Sequence, residues 1–165
     1  MYHPGFFKRL LVALYDGFLL IAVLIVSSAV LMAIFTAIAP DSLFIDPDKF
    51  EQKKIATLTA MGKTMGSIIV TANCMILSFF YYAWFWIHGG QTVGMRAWNL
   101  YLVKEDGKFI DWKIAAIRYA SAIVSWVCLG MGFAWVLLTA RRSAWHDTWS
   151  NSQIVYVPKD RQPKR

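Results

Sequence analysis

Residues 6–39 read FFKRLLVALYDGFLLIAVLIVSSAVLMAIFTAIA, and this stretch decides the fold. It opens with Lys8 and Arg9, contains a single carboxylate at Asp16, and then runs from residue 17 to residue 39 without a charge. With a rise of about 1.5 Å per residue, roughly 20 apolar residues carry a helix across the hydrocarbon of a bilayer. The stretch therefore predicts a membrane-spanning helix with an acid inside it.

That acid needs a favourable environment. An isolated carboxylate near the bilayer interior costs at least about 2.5 kcal/mol on insertion scales, so we expect Asp16 to face protein, water or a cation. Arg9 precedes Asp16 by almost two helical turns, which places both side chains on one stripe of the helix. We expect this stripe to face the other spans.

The composition supports an integral membrane protein. Of the 165 residues, 58% are hydrophobic and 16% are charged, which is too apolar for a soluble domain of this size. The net charge of +7 comes from residues beside apolar runs and in the tail, without a nucleic-acid motif. Anionic lipid headgroups and the positive-inside rule explain it better. We interpret Cys74 and Cys128, both inside apolar runs, as small hydrophobes, and we predict no cofactor or metal.

The amino terminus imitates a secretory signal, because Lys8 and Arg9 precede an apolar run that ends in Ala37-Ile38-Ala39. A signal has an apolar region of only about 7 to 15 residues, whereas this run is longer and contains Asp16. We therefore expect a retained span. The polar, proline-containing residues 40–54 that follow are predicted to form a solvated loop.

A second span is predicted over residues 63–88, which are uncharged from 64 to 87. Asn73 lies in mid-membrane near a stripe of small residues, and it acts either as a hydrogen-bonding link between helices or as part of a polar path. Such a stripe lets helices approach closely and indicates a packing face. Its members are Gly62, Gly66, Ser67, Thr71, Cys74 and Ser78.

The segment from His88 to Lys113 is polar and rich in aromatic residues. Its pattern predicts a turn, a short amphipathic element over 93–103 and a second turn over 105–107. No part of it is both long and uncharged, so we expect it to lie at the membrane interface rather than to cross.

The third apolar region, residues 114–140, leaves two topologies open. A single helix would place the basic tail on the opposite side from the other cations. A break at Leu129 to Gly132 would make a short hairpin and return the tail to the same side. The positive-inside rule favours the hairpin, whereas arms of only about 12 to 16 residues are short for a full crossing. Half-helices buried in protein are nevertheless allowed.

The order and spacing of several residues resemble the RDD family of small bacterial membrane proteins. The family is named for one arginine and two aspartates, which correspond here to Arg9, Asp16 and Asp147. One departure is that Ser150-Asn151-Ser152-Gln153 stands where the family usually has Gly-Thr before a final strand-like run. The residues that carry the resemblance are Arg9, Asp16, Gly90-Gln91-Thr92-Val93-Gly94-Met95-Arg96, Arg118 and Trp145-His146-Asp147.

The resemblance implies a transport role with an unspecified ligand, and sodium/proton exchange in some members. From the residues themselves, Asp16 either pairs with Arg118 or Arg9, or titrates and binds a cation. We expect Asp147 to accept hydrogen bonds from an arginine or from backbone N–H groups and to hold the tail under the bundle. The histidine beside it has no second ligand at metal-binding spacing.

We therefore predict an all-α membrane protein of three to four hydrophobic helices with an amphipathic interfacial segment. It would form one domain over residues 1–158, followed by a basic tail over 159–165. The predicted function is a small transport or ion-translocating module of the bacterial inner membrane, with a cytoplasmic amino terminus, working as a homo-oligomer on a cation or small molecule. The alternative is a scaffold that binds a partner or anionic lipid through its basic aromatic face. An enzyme is not expected, because no nucleophile with a base partner is evident. The predicted ion-sensitive or ion-pairing residues are Asp16, Arg9, Arg118, Arg96 and Asp147.

Overall fold

Two long helices supply the predicted spans, α1 (Phe6–Ile38) and α2 (Gln52–Gly89). The computed structural model describes residues 3–38, 52–139 and 143–158, with side chains described from residue 62 onward in α2. All of α1, and α2 from Gly62, are long and apolar enough to cross a bilayer. Much of the predicted loop over 40–54 and the whole of the tail over 159–165 lie outside these residues.

The chain divides into two compact units, one formed by residues 21–78 and the other by residues 1–20 with 79–165. In the first unit the facing parts of α1 and α2 are joined by a polar contact. The side-chain amide of Asn73 donates to the hydroxyls of Ser27, at 3.1 Å, and Ser28, at 3.2 Å. Gly66 lies against Met32, which a Cβ at the glycine would approach to 3.4 Å. These contacts give Asn73 the linking geometry that the sequence offered as one alternative.

The segment after α2 is more structured than a single amphipathic element. It forms helix α3 (Val93–Ala97) and strand β1 (Leu100–Lys104). The helix begins where it does because the Thr92 hydroxyl accepts the Met95 N–H at 3.2 Å and caps the first turn. The prediction of one element over 93–103 is therefore corrected.

Strand β1 pairs with β2 (Ser152–Tyr156) in an antiparallel ladder, in which Leu100 lies opposite Tyr156 and Lys104 opposite Ser152. Alternate side chains of β1 enter two clusters. Leu100 and Leu102 join Val12 of α1 in one core, while Tyr101 and Val103 pack on Val155 of β2. The strand-like run near the end of the sequence thus forms β2 and pairs with β1, which follows the second span.

The third apolar region is broken. Helix α4 (Trp112–Val127) is followed by α5 (Met131–Ala134) and a 3-10 turn (Trp135–Leu137), and this second arm is bent by 108° from the first. The break falls where the hairpin prediction placed it, and a single continuous helix is wrong. Helix α6 (Trp145–Trp149) then leads into β2. The chain is thus a mainly helical membrane protein, and its described residues contain two helices that can span, or three spans if the bent pair forms one.

Candidate functional site

Two arginines from distant parts of the sequence contact the carboxylate of Asp147 in α6. Arg118, in the second turn of α4, places its Nη2 atom 2.6 Å from Asp147 Oδ1. Arg9, in the first turn of α1, places Nη1 against Asp147 Oδ2. The exposed fractions of these side chains are 4% for Arg118, 11% for Arg9 and 2% for Asp147. We call these three residues the Asp147 clamp.

The clamp is held by further polar contacts. The Ala144 N–H donates to Asp147 Oδ2 at 3.1 Å, which fixes the carboxylate at the start of α6. Arg118 Nη1 donates to the Ser152 hydroxyl at 2.7 Å, and its guanidinium lies 5.5 Å from the ring centroid of Trp86. Asp147 therefore accepts from both an arginine and the backbone, the two kinds of partner expected from the sequence.

The electrostatics of the clamp favour an ionised Asp147. Burial opposes the charge of the carboxylate, but the positive charges of Arg118 and Arg9 outweigh burial and hold the pKa of Asp147 well below its ordinary value. Asp147 is thus a fixed negative charge neutralised in place. The Asp147 clamp therefore links the start of α1, the start of α4 and helix α6.

Asp16 lies in a separate environment. Its carboxylate is buried and accepts two hydrogen bonds, one from the Thr92 hydroxyl to Oδ2 and one from the Gly94 N–H to Oδ1 at 2.7 Å. The prediction that Asp16 pairs with Arg118 or Arg9 is wrong. Both arginines pair with Asp147 instead, because the returning tail brings that second acid to them.

A glycine permits the contact between Asp16 and α3. A Cβ atom at Gly94 would lie 2.8 Å from the Val12 carbonyl oxygen and 3.0 Å from Asp16 Cγ, so only glycine lets α3 approach α1 this closely. Gly90 serves the turn before α3, with φ of 63° and its carbonyl accepting the Leu102 N–H. The buried Gln91 side chain donates to the Leu100 carbonyl at 3.0 Å.

The other predicted site residues lie outside both groups of contacts. Arg96 is exposed on α3, and Asn73 belongs to the unit formed by residues 21–78. Within the described residues, no group of three or more histidine, cysteine or acidic side chains could hold a metal ion, and Cys74 and Cys128 are free thiols. The contacts of Asp16 with Thr92 and Gly94 were not predicted from the sequence, although both residues belong to the family resemblance. The signal that could have found them is a threonine directly before a short helical pattern.

His146 is buried beside the clamp. Its Nε2 atom lies 3.5 Å from Asp147 Oδ1, while its Nδ1 atom has no hydrogen-bond partner among the described residues. Burial, and then the positive charge of Arg118, lower the pKa of His146 to about 3. The imidazole is therefore neutral in the folded protein at physiological pH.

This burial predicts a stability that falls in acid. The unfolded chain takes up a proton near the ordinary histidine pKa of 6.5, whereas the folded chain does so only near 3, so the contribution is complete above pH 6.5 and is lost as the pH falls toward 3. The free energy of unfolding should drop by about 2 kcal/mol between pH 7 and pH 5. Detergent titration at each pH measures this drop. His146→Gln should remove it and His88→Gln, at an exposed imidazole, should retain it; equal slopes in the two variants would contradict the assignment.

Together the fold and the two buried acids define a mainly helical membrane protein with buried carboxylates in the unit formed by residues 1–20 and 79–165. The sequence model described as the RDD family matches residues 3–151 of the chain. The chain belongs to the RDD family. No curated protein and no solved structure matches it in the comparisons made.

Proposed function

We propose that this protein is a small ion- or proton-translocating module in which Asp16 is the working carboxylate. The observation that carries the proposal is the contrast between the two buried acids. Asp147 is neutralised by Arg118 and Arg9, whereas among the described residues the hydrogen-bond partners of Asp16 are the Thr92 hydroxyl and the Gly94 N–H. Asp16 is therefore a buried acid whose charge, when the group ionises, can be neutralised by a proton or a cation from outside the protein.

The surroundings of Asp16 support exchange rather than permanent occupancy. Both of its contacts donate a hydrogen to the carboxylate, and neither carries a charge. A proton could attach with a rotation of the Thr92 hydroxyl, whereas a sodium ion would need further oxygen ligands beside the carboxylate. Arg9 lies about 10 Å along α1 from Asp16 and is engaged by Asp147, so it leaves the charge of Asp16 unpaired.

The experiment compares flux in proteoliposomes. Wild-type protein and Asp16→Asn are reconstituted at matched amount and oligomeric profile, and an imposed proton or sodium gradient drives uptake. Asp106→Asn is the matched control, because it makes the same chemical change at an exposed turn. We expect flux by the wild type and the control, and background flux by Asp16→Asn. Wild-type flux in Asp16→Asn, or no flux of either ion in the wild type, would overturn the proposal.

Two further features belong to this proposal. Two or three spans enclose little volume, so a pathway calls for a homo-oligomer, and cross-linking in native membranes tests this. The positive-inside rule supports an inner membrane location with a cytoplasmic amino terminus. No catalytic role is assigned to any residue.

A second candidate function is a scaffold that binds anionic lipid headgroups or a partner protein. The observation that favours it is the exposure of Lys8, Arg96 and Lys113, with Lys8 lying 5.5 Å from the ring centroid of Tyr156. Stronger binding to vesicles that contain anionic lipid, with no ion flux, would support this scaffold in place of the transport module.

A further inference from the structure

The turn between α4 and α5 bends the chain by 108°. Leu129 and Gly130 both adopt left-handed backbone conformations, with φ of 54° and 78°. The Gly130 N–H donates to the Ser125 carbonyl at 2.8 Å and closes the end of α4. Leucine rarely adopts this conformation, and a second hydrogen bond, from the Leu129 N–H to the Trp126 carbonyl at 3.0 Å, also closes the turn.

The chain beyond the turn runs back along α4. Near the turn, Gly132 lies against Ser125, so closely that a Cβ at the glycine would overlap the serine side chain. Asp147 meets Arg118, which lies about 10 Å nearer the start of α4 than Ser125. Strand β2 then pairs with β1, which precedes α4 in the sequence. As the chain continues beyond the turn, the first two contacts lie progressively nearer the start of α4, and the third lies before it. The residues after the turn therefore return toward the start of α4.

The surface around the turn is apolar and exposed. The exposed fraction reaches 96% at Leu129. A contiguous exposed apolar patch of this kind is unfavourable in water. Buried polar groups of α4, including Ser121 and Ser125, face inward instead. The exposed apolar side chains around the turn are Val124, Trp126, Val127, Leu129, Met131, Leu137 and Leu138.

The arms are too short to cross. Helix α4 has 16 residues, which gives about 24 Å, whereas the hydrocarbon is about 30 Å thick. The second arm, Met131–Leu137, is shorter still. A row of tryptophans begins within this arm and continues into α6, with ring centroids 6.0 Å apart between Trp135 and Trp145 and again between Trp145 and Trp149. Such rings favour the headgroup level, which is where a returning chain leaves the hydrocarbon.

We propose that residues 112–137 form a re-entrant wedge, which enters the bilayer and leaves it through the same face. The apolar surface around Leu129 is covered by lipid acyl chains, the same environment that the exposed apolar side chains of the two membrane-spanning helices require. The amino terminus and the tail then lie on one side of the membrane. This inference is independent of the transport proposal, because it concerns only the path of the chain.

Single cysteines test the wedge in full-length protein whose native thiols are removed by Cys74→Ala and Cys128→Ala. Glu105→Cys reports the face where α4 begins, Thr148→Cys reports the tail, and Thr36→Cys reports the far end of α1. An impermeant maleimide is applied to sealed vesicles of known orientation. We expect Glu105→Cys and Thr148→Cys to label from the same face, and Thr36→Cys from the opposite face. Labelling of Thr148→Cys from the face of Thr36→Cys would establish a crossing and overturn the wedge.

The position of the tip is measured with a fluorophore on Leu129→Cys, and on Val127→Cys as a second variant. The probes are lipids that carry a nitroxide either on the headgroup or on the acyl chain. We expect severalfold stronger quenching by the acyl-chain label at both positions, with little labelling by the impermeant maleimide from either face. Quenching by soluble iodide with none by the lipids would place the tip in water and refute the proposal.

Discussion

Asp147→Asn is expected to lower the free energy of unfolding by about 3 to 5 kcal/mol, the largest single effect on stability that the structure predicts. The amide cannot neutralise Arg118 or Arg9, and the exposed fraction of the Arg118 side chain is only 4%. A buried cation without its counter-ion retains its desolvation cost and gains nothing in return. Detergent titration in mixed micelles measures the change in free energy.

The controls for this prediction separate charge from packing. Asp106→Asn removes an exposed carboxylate that pairs with Lys108, so it should leave the free energy of unfolding nearly unchanged. The double variant Arg118→Met with Asp147→Leu removes the buried pair together, and we expect it to be more stable than Asp147→Asn. A loss below about 1 kcal/mol in Asp147→Asn would contradict the clamp.

Gly94→Ala is expected to lower the free energy of unfolding by about 3 kcal/mol. Its Cβ would lie 2.8 Å from the Val12 carbonyl oxygen, so α3 must move away from α1 and the hydrogen bonds to Asp16 must lengthen. The cost combines overpacking with weaker bonds to a buried acid. The same detergent titration measures it.

Gly17→Ala is the matched control, since Gly17 directly follows Asp16 in α1 and a Cβ there meets no atom within 4 Å. It should leave the free energy of unfolding unchanged or raise it slightly, because alanine is the better helix former. If both alanine variants behave alike, the close approach at Gly94 has no energetic importance.

Much of the membrane architecture could be predicted because hydrophobic length is a local property. Residues 6–39 and 63–88 carry their own evidence for a span, and the structure places helices over both. The break near Gly130 could also be predicted, since two glycines interrupt an otherwise helical pattern. Each of these features depends on residues close together in the sequence.

The pairing of charges could not be predicted in the same way. Arg9 and Arg118 both lie near the start of an apolar run, and this position does not decide between Asp16 and Asp147 as their partner. The decision depends on the return of the tail along α4, which is a contact between distant parts of the chain. The same limit applies to β1 and β2, whose paired residues are about 50 positions apart.

The three residues that give the family its name serve two different purposes in this protein. Arg9 and Asp147 belong to the Asp147 clamp, and their charges neutralise each other. Asp16 binds instead to the Thr92 hydroxyl and the Gly94 backbone. A test of function should therefore treat Asp16 separately from the other two.

The clamp also sets an order on biosynthesis, because 138 positions separate Arg9 from Asp147. At about 5 to 20 residues per second, a ribosome needs roughly 7 to 28 s to travel from one to the other. During that time the first helix is already made while its counter-ion is not. The Asp147 clamp therefore forms only after α6 has been synthesised, and a chain truncated before α6 would lack the carboxylate that Arg118 and Arg9 contact.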